Sequence, residues 1–477
     1  VKLLGWWVVA FGLASACDDD SQLSMGSDAA SVVVVDAFDA GAVKSVEIYP
    51  FVLVPTFSPT ISDYSVRCAP GSNYVNVTVA YIDGKTQTTA VALEEGQELE
   101  VANAYWVRCL PNDFPAITVS SPGTPTPGYY LLNSTTYAIV FDTNGTPVWY
   151  AHGGSQMIDI DSPTTNTISL MPDAVQGAPF GILTTQHYEV RSLATSMTLD
   201  VYASTAPTDF HELQTLPNGD HLILTYILEP NTDLTGLQSY GPGETMADCA
   251  VQEVDSANNL VWSWLASDHV DPIQESLAPA VEMANTTSVV DVFHCNSIDF
   301  DGSGNLLVSM RHTCAVFYID HATGTVLWKL GGSSYNKDGA TLIQVQNDPE
   351  TTFSLQHDAR FQPNGDISLF DDHGIGPGVA RGVEYAIDHA ANTATPVFQY
   401  LGTVPSQYEG SFRRFADGDS VIGWGYAGNG ANVLTEIDSS GNDLFDIAFA
   451  GDTPSYRAIK VPPSQLDITV LRATAGQ

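Results

Sequence analysis

Three histidines, His211, His294 and His357, each stand seven residues before the Asn or Asp of a turn (Asn218, Asp301, Asn364). The stretches around them repeat one pattern, so equivalent positions should share one location. All three are predicted at the start of the first strand of their repeat. Arg311 closes the second strand of the middle repeat, which runs antiparallel to the first and so ends at the same side. Asn296 lies two residues after His294 and is expected on the same side of its strand. Neutral imidazole can act as nucleophile, general base or metal ligand. A permanently charged guanidinium beside it calls for an anionic group in the pocket. His, Arg and Asn around a small tetrahedral anion suggest transfer of a sulfuryl or phosphoryl group.

The elements that must position these residues are short strands. Residues 291–332 divide into HCNSIDF, LLVSMR, CAVFYID and VLWKL, separated by Asp301-Gly302-Ser303-Gly304 and Thr323-Gly324. Such runs between turn residues read as a four-stranded antiparallel meander. The plan recurs over Phe210–Leu265, Gln356–Leu401 and Ser411–Phe449, in outer-strand form at YAIVFD and VWY, and more weakly over Met157–Ser204. Four-stranded units repeated in this way predict an all-β chain with a six-bladed β-propeller, whose innermost strands line a central channel. The Asp ending each third strand (Asp142, Asp255, Asp320, Asp388, Asp438) suits a turn, and Trp149, Trp262 and Trp328 read as core. His312 and Asp358 should face away from their neighbours Arg311 and His357. His152, His187, His221, His269, His321, His373 and His389 fall in turns, outer strands or insertions and are expected in solvent.

The 477 residues carry 16 Lys and Arg against 55 Asp and Glu, a net charge of −39. So acidic a surface repels nucleic acid and anionic membrane. A basic residue inside a pocket of this chain is therefore unlikely to be accidental. There is no Gly-rich phosphate loop, so no nucleotide cofactor is implied, and neither GxSxG nor HExxH occurs.

Residues 1–17 combine Lys2, an apolar run and Ala14-Ser15-Ala16 ahead of Cys17, the form of a lipoprotein-type signal peptide. Lipidation at Cys17 would tether an exported protein, periplasmic or at the cell surface, to a membrane without crossing it. Residues 18–44 read as an acidic flexible linker, 45–120 as a small N-terminal β-sandwich, 121–465 as the propeller and 466–477 as a tail. Cys68 and Cys109 are expected to pair in an exported domain. Cys249 and Cys314 occupy equivalent repeat positions and could pair, while Cys295 reads as a small buried side chain.

Taken together, FHCNSIDFDGSGNLLVSMRHTCAVFYIDHATGTVLWKLGG, FSLQHDARFQPNGDISLFDDH, VIGWGY and SYRAIKV resemble the bacterial arylsulfotransferase family, most closely its second branch, over about residues 120–462. The resemblance implies a six-bladed propeller, often behind a β-sandwich, that moves a sulfuryl group from an aryl sulfate donor to a phenolic acceptor without a nucleotide, cofactor or metal. It implies that His357 carries the group as a sulfohistidine. It further implies that His294, Asn296 and Arg311 hold the sulfuryl oxygens and that His211 binds substrate or exchanges the phenolic proton. The family places Lys and Thr late in the chain near the pocket; here Tyr456 and Arg457 stand there as candidate substrate-binding residues. A homodimer is known in the family. The alternative is a propeller that binds sulfated or carboxylated ligands without catalysis, or that holds a metal on the three imidazoles.

Overall fold

The computed structural model describes residues 32–35, 42–174, 186–284, 287–428, 431–451 and 453–476. The proposed signal peptide, Cys17 and most of the linker lie outside these residues. The fold is all-β, with 51% strand and 3% helix. Within residues 33–110, Val43–Tyr49, Ser72–Tyr81 and Thr86–Glu94 form one sheet. Val33–Val35, Glu98–Val101, Tyr105–Leu110 and Asp63–Arg67 form another. Alternation along Ser72–Tyr81 sends Val75, Val77 and Val79 into one core with Tyr64, Val66, Leu99 and Val107 of the facing sheet, and this core also holds the Cys68–Cys109 disulfide. Two boundaries differ from the expectation. Val33–Val35, assigned to the linker, pairs in parallel with residues 99–101. Ile117–Ser120, assigned to the sandwich, pairs with Asp443–Phe449 and so extends the last sheet of the larger body.

That larger body is a series of four-stranded antiparallel sheets. Sheet A holds Ala458–Val461, Tyr129–Ser134, Tyr137–Asp142 and Pro147–His152, and sheet B holds Gln156–Asp161, Thr167–Ala174, Tyr188–Ser192 and Met197–Val201. In sheet C the strands are Thr208–Thr215, His221–Thr232, Glu244–Val254 and Leu260–Leu265, with Thr287–Asp291 and Ala280–Ala284 added beyond Glu244–Val254. Sheet D is Cys295–Phe300, Leu306–Met310, Ala315–Ile319 and Val326–Gly331; sheet E is His357–Phe361, Ile367–Asp371, Arg381–Asp388 and Thr393–Leu401. Thr341–Val345 bridges the outer edges of D and E into nine continuous strands. Sheet F is Ser411–Arg414, Ser420–Gly423, Leu434–Ile437 and Asp443–Phe449.

The first strands of sheets B to F contact one another in turn, and that of F contacts Ala458–Val461 of sheet A. Tyr129–Ser134 of sheet A in turn contacts Gln156–Asp161, so the series closes on itself. Sheet A thus takes its inner strand from the far end of the chain: Ala458–Val461 pairs with Tyr129–Leu132, which is second from the inside. The segment expected as a tail is also ordered. Asp467 caps a helix over Ile468–Thr474, accepting from the amides of Thr469 (2.7 Å) and Val470 (3.3 Å). Arg472 then reaches back to Asp63 of the sandwich at 2.7 Å.

Candidate active site

Each predicted histidine lies where its strand departs from regular pairing. The register shifts between Thr208 and Leu213, between Cys295 and Ser297, and between His357 and Arg360. Bulges at such points re-aim side chains that simple alternation would misplace. His294 itself has φ +52°, in the left-handed region, ahead of its strand. Asp291 holds it there: one carboxylate oxygen accepts the His294 amide (2.9 Å) and the other its ring Nδ1 (2.7 Å).

The three imidazoles converge. The ring centroids of His211 and His294 are 4.9 Å apart, and those of His294 and His357 are 6.4 Å apart. Each ring is fixed through Nδ1 by its own carboxylate. Asp209 Oδ1 takes both the amide (2.9 Å) and Nδ1 (2.6 Å) of His211, and Asp372 binds His357 Nδ1 at 2.7 Å. With Nδ1 so engaged, chemistry at these rings falls to Nε2. Burial, together with Arg311, His294 and His211, holds His357 well below the ordinary imidazole pKa; burial, His211 and Arg311 do the same for His294. Both rings are therefore neutral near pH 7.

Arg311 follows Leu306–Met310 and opens a single 3-10 turn, Arg311–Thr313. It is half-buried; Nη2 donates to the carbonyl of Gln407 (2.9 Å), and its buried Nε has no acceptor among the described residues. Asn296 is fully buried and donates to the carbonyl of Gln356, next to His357, at 2.7 Å. Its Oδ1 is buried and meets no donor among the described residues.

Several expectations change. His312 does not face away, because alternation stops at Met310 and the 3-10 turn carries the ring inward. Its centroid is 4.7 Å from that of His294, and its Nδ1 lies 3.3 Å from Asp291 Oδ2. Asp358, at φ +54°, is buried among Arg360, Arg413 and Arg457, which hold its carboxyl below the usual range although burial opposes them. His221 and His373 are buried rather than solvated, bonded to Thr215 (3.1 Å) and to the Pro377 carbonyl (3.1 Å).

Tyr456 and Arg457, expected to meet substrate, are instead occupied by protein. Tyr456 donates to the His211 carbonyl at 2.9 Å. Arg457 donates to Asp159 (2.6 Å), to both Glu212 oxygens (3.2 and 3.0 Å) and to the Asn296 carbonyl (2.8 Å). Both its Nη1 and Nη2 atoms are thus engaged by buried groups of three inner strands.

The cysteines pair differently too. Cys249 bonds Cys295, with Cα atoms 6.1 Å apart, and Cys314 is free and buried. Repeat-equivalent positions such as 249 and 314 are kept a full unit apart. Cys295, on an inner strand, packs against the preceding sheet, where Tyr226 also donates to its carbonyl. The acids Asp209, Asp291 and Asp372 went unrecognised from sequence. The signal for two of them was local, an Asp two or three residues ahead of the His in TDFH and DVFH.

The family model for arylsulfotransferase (ASST) matches residues 184–450, more than half of the chain and all three histidines. The chain belongs to the arylsulfotransferase family. Membership supports arylsulfotransferase activity in general terms. No curated protein matches this arylsulfotransferase chain. Among solved structures it is similar to a protein of unknown function from Bacteroides caccae (12% identity, TM-score 0.43, covering 70% of this chain and 99% of that one). It is also similar to the periplasmic gluconolactonase of Pseudomonas aeruginosa (12% identity, TM-score 0.36, 70% and 99%). A third likeness is to virginiamycin B lyase from Staphylococcus aureus (7% identity, TM-score 0.35, 71% and 98%).

Proposed function

We propose that this arylsulfotransferase is a six-bladed propeller that moves a sulfuryl group from an aryl sulfate to a phenol through His357. The observation that carries the reading is the neutral, carboxylate-anchored imidazole of His357 beside Arg311 in an otherwise acidic chain. In the first step the Nε2 lone pair attacks sulfur, an S–N bond forms, and the S–O bond to the aryl group breaks with the electron pair leaving as phenolate. In the second, a phenol oxygen attacks sulfur, the S–N bond breaks with its electron pair returning to His357 Nε2, and the phenolic proton passes to His211 or to the phenolate released in the first step. Splitting one displacement into two lowers each barrier. Arg311 and the second amide hydrogen of Asn296 stabilise the sulfuryl oxygens as charge shifts between them.

Incubation with 4-nitrophenyl sulfate followed by mass analysis should show a sulfuryl adduct on His357, discharged by added phenol. Full transfer by a His357→Ala variant would sink the reading.

A metal-dependent reading has one observation behind it: donor atoms of Asp291, His294 and His312 all lie within 4.8 Å of one another. Those atoms, however, already engage one another, and the Arg311 guanidinium is 3.0 Å from His312 Nε2, where a second cation would be repelled. Metal analysis of the purified protein should find less than stoichiometric metal. We also read the chain as exported and lipid-tethered through Cys17; its two disulfides suit an oxidising compartment. Labelling with radioactive palmitate, lost in Cys17→Ser, tests this.

A further inference from the structure

Arg311 is held on one side by the Gln407 carbonyl and on the other by an imidazole that the transferase reading leaves without a role. Its Nη1 is 3.0 Å from His312 Nε2. A guanidinium only donates, so Nε2 must accept and the one ring proton must sit on Nδ1. That nitrogen is 2.9 Å from the backbone carbonyl of Asp291, an acceptor, so the two contacts require the same tautomer. The ring is 2% exposed. Among the described residues the buried Nε of Arg311 has no acceptor.

We propose that His312 is a positioning residue: as a neutral acceptor it fixes the Arg311 guanidinium in the place from which it meets the sulfuryl oxygens. This rests on the transferase reading for what occupies the pocket, though not for the hydrogen bonds. Burial, opposed by Asp291 and reinforced by His294 and Arg311, pushes the His312 pKa down to about 3, so the acceptor lone pair persists at any working pH. Asp291 serves two rings, with its carboxylate on His294 and its carbonyl on His312, and this ties the guanidinium and the neighbouring imidazole into one unit.

Two substitutions separate positioning from mere packing. His312→Gln keeps an amide oxygen near the place of Nε2, and so keeps the acceptor for Arg311. His312→Asn keeps a donor near Nδ1 for the Asp291 carbonyl but withdraws that acceptor. Transfer from 4-nitrophenyl sulfate to phenol and calorimetric binding of unreactive 4-nitrobenzenesulfonate are measured on both, and each substitution is repeated in an Arg311→Ala background. Gln should stay within about threefold of the parent, while Asn loses about thirtyfold in kcat/KM and about tenfold in binding, the scale of one charge-assisted hydrogen bond. In the Arg311→Ala background neither should add a further loss.

Equal losses in Gln and Asn, or a loss that persists without Arg311, would overturn the proposal. If the parent binds the sulfonate with this order of effects but transfers nothing, the transferase reading fails and the positioning role stands. A parent that does not bind the sulfonate overturns the role. The unaltered protein gives a check free of folding artefacts: histidine-selective ¹⁵N spectra should show the ring lost in His312→Gln as the Nδ1–H tautomer, and an Nε2–H signal would refute it.

Discussion

His357 opens one strand and Asp372 follows the end of the next, and their bond at 2.7 Å decides which nitrogen of the imidazole is available. Replacing Asp372 with Asn keeps the shape and removes the carboxyl that orders the tautomer; kcat should fall on the order of a thousandfold with little change in KM. Truncating Arg311 to Ala should cost about 3 kcal/mol of barrier, on the order of a hundredfold in kcat/KM. Because burial and Arg311 hold His357 below the ordinary imidazole range, transfer should persist through pH 6.5, and its acid limb should lie lower. A kcat/KM profile with a midpoint at the ordinary imidazole value would contradict this. The three histidines and Arg311 were legible in the sequence because repetition reports shared location without any knowledge of packing. His312 and Asp358 were not, since alternation assumes a regular strand and both sit where regularity ends.

At the scale of elements, the inner strands of sheets C, D and E each give up regular pairing at the histidine, and the sheets outside them hold the distortion in place. The Cys249–Cys295 bond ties the strand between His294 and Asn296 to the preceding sheet. Converting both cysteines to Ala should lower the unfolding free energy by about 2 to 4 kcal/mol, read from denaturant curves, and should lower transfer in the same preparation. The loop after Thr393–Leu401 carries Glu409, whose carboxyl burial pushes to about 8; in sheet C, burial pushes Asp248 to about 7. Folded protein thus keeps protons there that unfolded chain releases above its ordinary carboxylate range. Their contribution is complete at low pH and is lost as pH rises through 7 to 8. The Tm should therefore climb as pH falls from 8.5 to 6.5, and Glu409→Gln should flatten that slope. The disulfide partner of Cys249 was misjudged from sequence because a repeat shows which positions correspond, not which ones touch.

For the molecule as a whole, the notable feature is where sheet A finds its inner strand. Four-stranded repetition was readable from Tyr137 to Phe449, but the strand at Ala458–Val461 has no pairing partner beside it in sequence, so nothing local announces it. Arg457, just ahead of it, joins Asp159 of sheet B, Glu212 of sheet C and the Asn296 carbonyl of sheet D in one buried cluster. Arg457→Ala would strand those carboxylates in a dry interior, a loss of about 3 to 5 kcal/mol, measurable as a lower midpoint of urea unfolding. Tyr456, beside it, holds the His211 backbone. Synthesis runs in one direction, so a partly made chain that has reached sheet F already holds His211, His294, His357 and Arg311. It still lacks the two residues that draw sheets B, C and D around a common centre. Competence would therefore arrive abruptly once Tyr456 and Arg457 are added, and molecules cut ahead of them would be inert rather than partly active.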